Sequence, residues 1–152
     1  MPWDLASASR PIRGLRLAIA VAAIVVVIGL VWAATTLFSS LDQHLASSAA
    51  VRDKVVAAVS ADWGRSSFDP LATPDFIAAH AKGKYDVSRY LTLLGALETT
   101  KSCAMEGMSI VNSIGWSLWR CPAAFESGEA TLVIKLTLGG GKWLLSDFAV
   151  QI

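Results

Sequence analysis

The side chains able to do chemistry in this 152-residue chain are few and widely spaced. His44 has no carboxylate at a local spacing that would make it a general base. His80 sits beside Lys82 near the end of a predicted short helix, where an imidazole reads as a helix-terminus cation. A metal centre needs a compact set of His, Cys, Asp or Glu, and no such spacing occurs, so neither metal nor cofactor is expected. Ser109, Ser113 and Ser117 lack the flanking residues of a nucleophile elbow. The residues therefore predict a chain that is not an enzyme. Glu106 and Arg120 read as a cross-strand ion pair, the alternative being a polar handle for a ligand.

Cys103 and Cys121 are the only cysteines. Alternating segments flank Val111-Asn112-Ser113, and folding a hairpin about Asn112 sets residue 103 opposite 121, with Met105 facing Trp119. That register predicts a disulfide between adjacent antiparallel strands, provided the compartment is oxidising; the alternative is two buried thiols acting as small apolar groups.

The elements that must position these residues change period along the chain. Leu45, Val51, Val55, Val56, Val59 and Trp63 share a helical face, predicting an amphipathic helix over about 43–62. Thr73-Pro74-Asp75 is a helix start signal, with Thr as N-cap and Pro at the first helical position; the helix should end near Ala81, before Gly83. Asp86 reads as the N-cap of a third helix ending at Gly95. Strand-like segments follow over 97–110 and 114–126. Residues 131–138 then alternate cleanly, with Leu132, Ile134, Leu136 and Leu138 on one face. In the last strand Trp143 and Leu145 occupy one parity and Phe148, Val150 and Ile152 the other, which predicts a bulge near Ser146-Asp147. Helices followed by antiparallel strands give an α+β class, expected as helices packed on a curved four-stranded antiparallel sheet.

Ahead of this domain, residues 17–41 carry no charged side chain, and Arg10, Arg13 and Arg16 stand before them. About 20 apolar residues are needed to cross a bilayer, so 17–41 is predicted to be a transmembrane helix, with 1–16 as a cytoplasmic tail and 42–152 as an exported domain. For a bacterial inner membrane, that domain lies in the periplasm. A cleaved signal sequence is the competing reading, but signal cores are shorter and Ala33-Ala34 is a poor processing site behind Trp32. Gly14, Ala18, Ala22, Gly29 and Ala33 recur at spacings of four and seven, so a partner helix could approach closely there; the plainer reading is that small residues are common in spans. From Ser39 to Ile152 ten Lys/Arg balance eleven Asp/Glu without a basic stripe, which argues against a nucleic-acid partner.

Phe125-Glu126-Ser127-Gly128-Glu129-Ala130, then Leu132-x-Ile134-x-Leu136, a glycine-rich turn and Lys142-Trp143-x-Leu145-x-x-Phe148-x-Val150 resemble the C-terminal half of nuclear transport factor 2-like (cystatin-like) domains. The Leu94-Gly95-x-Leu97 step resembles membrane-anchored bacterial members of uncharacterised function. The resemblance implies helices filling the concave face of a curved sheet. Two functions then compete. One is a noncatalytic accessory or assembly protein that meets the lipid bilayer and a membrane-protein partner or a second copy of itself. The other is a binding module for a small apolar or lipid-derived ligand, in a pocket near Trp63, Phe76 and Phe148.

Overall fold

The computed structural model describes residues 12–61, 65–83 and 87–152. Arg10, Trp63 and Asp86 fall outside these, as do the side chains of Arg13 and Arg16. The chain divides into two compact units, residues 1–43 and 44–152.

A single helix, α1 (Ile12–Ala61), contributes to both units. The sequence predicted two helices, one before and one after about residue 42. No proline or glycine lies between Gly29 and Ala61 to break the backbone, so one helix serves both segments. The rest of the second unit is built from α2 (Arg65–Phe68), a 3-10 turn (Asp69–Leu71), α3 (Pro74–Ala81) and α4 (Val87–Leu94), followed by five strands. The 3-10 turn has Pro70 near its start, where a missing N–H costs nothing. The α3 start is as predicted: Thr73 is extended, and its side chain accepts a hydrogen bond from the Phe76 N–H at 3.3 Å. The end of α4 is also as predicted. Gly95 takes a φ of 76°, and its N–H bonds the Leu91 carbonyl.

The strands are β1 (Leu97–Thr100), β2 (Ala104–Val111), β3 (Ile114–Phe125), β4 (Gly128–Gly139) and β5 (Lys142–Gln151), all antiparallel to their neighbours. The expected four strands are thus five, because the segment read as one strand over 97–110 is interrupted at Lys101–Cys103. β1 and β2 lie end to end on the same side of β3. Pro122, opposite the interruption, has no N–H to offer; the Lys101 N–H bonds its carbonyl instead. Register slips at Glu98 and again at Glu106, and one more residue is gained between Thr100 and Ala104. Repeated bulges of this kind disrupt an edge and disfavour pairing with a foreign strand.

The β2–β3 turn is Asn112-Ser113, both at positive φ (52° and 62°), closed by Val111 opposite Ile114. That register differs by one residue from a hairpin folded about Asn112. The bulge at Glu106 absorbs the difference, and Met105 faces Trp119 as predicted. The bulge predicted in the final strand is present at Ser146, whose hydroxyl donates to the Lys135 carbonyl.

Alternation in β3 and β4 sends Trp119, Cys121, Ala123, Leu132, Ile134, Leu136 and Leu138 into a core shared with Val55, Val59, Phe68, Phe76 and Leu94 from the helices. The two segments that carry the family resemblance are joined directly. Ala96 donates to the Glu126 carboxylate, Glu126 N–H to the Ala96 carbonyl, and Ser127 N–H to the Leu94 carbonyl. A side chain at Gly95 would collide with Glu126, so glycine there serves close approach as well as helix termination.

Candidate functional site

In α1 every described side chain from Ala18 to Gln43 is exposed. The helix is long and apolar enough to cross a membrane. Three of its hydroxyl groups close on its own backbone: Thr35 and Thr36 donate to the Trp32 carbonyl, and Ser39 donates to that of Thr36. Such back-bonding removes the penalty for hydroxyls in an apolar medium. At 100° per residue, Ala18, Ala22, Gly29 and Ala33 fall within an arc of about 60°. Nothing lies within 4 Å of the position a Cβ on Gly29 would take. The side-chain surroundings of the fifth member, Gly14, lie outside the described residues.

The second unit contains a polar cluster that the sequence reading missed. Ser48 of α1 and Ser117 of β3, both fully buried, share a hydrogen bond of 2.8 Å. The Trp119 indole N–H donates to both hydroxyl oxygens, at 3.0 and 3.2 Å. One turn further along α1, the Arg52 guanidinium stacks 4.4 Å from the Trp119 ring centre and donates to Asp53 at 2.6 Å. Ser47 accepts from the Trp143 indole at 3.1 Å. The only hint available was the pair of serines on an otherwise apolar helical face, which by themselves read as small neutral fillers.

Arg52 also lines an open groove. Asp53, Val56 and Ala57 form its α1 side, and Thr100, Lys101, Ser102 and Cys103 form its strand side. The cations there are matched locally, Arg52 by Asp53 and Lys101 by Glu129. The groove therefore offers no unpaired charge to an anionic ligand.

The remaining expected positions are dispersed. Cys103 and Cys121 form the predicted disulfide, linking the start of β2 to β3. Glu106 pairs with Arg120, which also donates to Gln151 at 2.6 Å; the Glu106 hydrogen bond, then its charge, raises the Arg120 pKa still further. Phe76 and Phe148 are 2% and 1% exposed, and Phe68 meets Phe148 edge-on at 6.4 Å. These two members of the expected pocket are buried in the core, and the third, Trp63, is outside the described residues. His80 stacks on Phe76 at 6.0 Å in the last turn of α3. Among the described residues, no three His, Cys, Asp or Glu side chains gather to hold a metal ion. Trp116 and Trp119 take opposite faces of β3, as their spacing requires: Trp119 is buried, whereas Trp116 is 41% exposed and lies over Gly107. Compared with protein-family models, curated proteins and solved structures, the chain matches none of them.

Proposed function

We propose that this chain is a noncatalytic, single-pass accessory or assembly protein that holds a partner at a membrane. The observation carrying this reading is the charge-free helical segment whose side chains from Ala18 to Leu41 are all exposed, since so much uncovered apolar surface requires lipid or another helix. The arc of Ala18, Ala22, Gly29 and Ala33, continued by Gly14, supplies the close-approach face, and the partner is another membrane helix or a second copy of this chain.

Arg10, Arg13 and Arg16 favour an N-terminus retained in the cytoplasm of an inner membrane, with the second unit in the periplasm. The Cys103–Cys121 disulfide supports placing that unit in an oxidising compartment. The length of the apolar segment favours a retained anchor over a cleaved signal. For the second unit, a nuclear transport factor 2-like arrangement with helices on a curved sheet is our reading. It is supported by the order of helices and strands and by the bulges at Glu106 and Ser146, which bend strands.

The deciding experiment isolates the chain in mild detergent beside a version whose residues 17–41 are replaced by an unrelated span. A protein partner, or a second copy, should copurify with the native chain and be lost on replacement. Equal recovery from both would remove the helix face from the mechanism, and recovery of a shortened, carbonate-extractable chain would remove the anchor.

A further inference from the structure

His44 is the first residue of the folded unit, and the charge-free run ends at Leu41. Three residues of fully extended chain span no more than about 11 Å. If 17–41 crosses a membrane, whichever part of the folded unit surrounds His44 is held at that membrane's surface. The inference below rests on that reading of the helix.

Contacts inside the folded unit show which part this is. Ser47 is bonded to Trp143, which pairs with Leu138 and, through it, Gly115. Ser48 is bonded to Ser117, and Arg52 lies over Trp119. Further on, Val56 and Ala57 share a groove with Lys101 and Cys103, beside Cys121. α1 and β3 therefore advance in the same sense, and His44 lies toward the end of the sheet where β3 begins. That end carries the β2–β3 and β4–β5 turns, Asn112-Ser113 and Gly140-Gly141, whereas the β3–β4 turn, Glu126-Ser127, lies at the other.

Its chemistry suits a lipid surface. Val111 and Ile114, paired across the turn, are 66% and 67% exposed, although aliphatic side chains at a hairpin tip are normally covered or replaced by polar ones. Trp116 stands about 7 Å behind them, two residues along the strand. Between 111 and 116 and between 138 and 143 there is no Asp or Glu, and Lys142 supplies a cation. The opposite end of the sheet is acidic and exposed, with Glu98, Glu126 and Glu129. We propose that the Val111–Ile114 hairpin tip rests in the headgroup layer of the bilayer, with Trp116 as an interfacial aromatic and Lys142 near lipid phosphates.

The test is nuclear magnetic resonance of the full chain in phosphatidylcholine–phosphatidylglycerol nanodiscs. A lipid-borne nitroxide is placed first deep in the acyl chain and then at the headgroup. The acyl label should broaden the amides of 25–30, and the headgroup label should broaden those of 112–114 and Gly140 while sparing Ser127 and Gly128. If 25–30 broaden but the hairpin does not, or both sheet ends broaden alike, the lipid contact is overturned while the anchor stands. If 25–30 do not broaden, the anchor reading fails and takes the inference with it. In a Val111→Ser, Ile114→Ser variant with unchanged resonances elsewhere, broadening at the tip should weaken. Unchanged broadening would mean that the tether alone keeps the tip near lipid, and would overturn the role of the two side chains.

Discussion

The two halves of α1 belong to one unbroken helix, and hydroxyls in both bond back onto it, Ser47 to His44 and Ser60 to Val56 in the second half. Among the described residues, however, only the second half has serines that also bond to the sheet. Between residues 18 and 43, Thr35, Thr36 and Ser39 turn their hydroxyls back onto carbonyls three or four residues earlier. Between 44 and 61, Ser47 and Ser48 accept indole N–H groups from strands roughly 70 to 100 residues away in sequence. The Thr35, Thr36 and Ser39 hydroxyls need nothing polar from their surroundings, as hydroxyls on a helix in hydrocarbon must. The second half uses the same residue types to fix its position against a sheet. Identical backbone conformation therefore accompanies different side-chain partners, and the indole bonds to Ser47 and Ser48 mark the half that packs on the sheet.

The comparison can be broken most severely by charge. Val55→Asp would bury an unpaired carboxylate at a site with no exposure, and should cost the folded unit about 4 kcal/mol or more in urea unfolding. Val27→Asp should leave that unfolding curve in place and instead cost about 2.5–3.5 kcal/mol in a membrane-insertion assay. Equal loss of folded-unit stability from both would contradict the division. Next in size is the disulfide. Replacing Cys103 and Cys121 by serine opens a loop of 18 residues and should cost about 3 kcal/mol, again only in the folded unit.

The polar cluster should be worth less. Trp119→Phe and Ser48→Ala each remove part of one network, at about 1–2 kcal/mol apiece. A double-mutant cycle should return a coupling of at least about 0.5 kcal/mol. Strict additivity would show that the indole bond to Ser48 contributes nothing. Smallest is Thr35→Val with Thr36→Val, which should change folded-unit stability by less than about 0.5 kcal/mol, because neither hydroxyl reaches beyond its own helix. A larger shift in the melt would mean that the first half supports the second.

Local signals were legible wherever backbone chemistry decided the outcome. Thr73-Pro74 starts α3, Gly83 and Gly95 follow the helix ends with positive φ, and the parity change in the last strand marks the Ser146 bulge. The Cys103–Cys121 pairing was reached from a register one residue off at the turn, which the Glu106 bulge happens to cancel. The split edge was not legible, because its cause sits on the neighbouring strand at Pro122. Nor was the serine–tryptophan cluster, whose members are separated by 69 and 71 positions and show no periodicity of their own. Nor could spacing alone separate a pocket from a core, because aromatic side chains such as the buried Phe76 and Phe148 fill space as readily as they line it.

The short interval between the cysteines also bears on how the chain is made. With only two thiols there is a single intramolecular pairing, so no wrong bond exists to be reshuffled within one molecule. Cys103 immediately precedes β2 and Cys121 lies in β3, and β4 and β5 are synthesised after both. Once residue 121 has entered an oxidising space, the bond can close before residues 122–152 arrive, leaving a covalently fixed hairpin on which β4 can assemble.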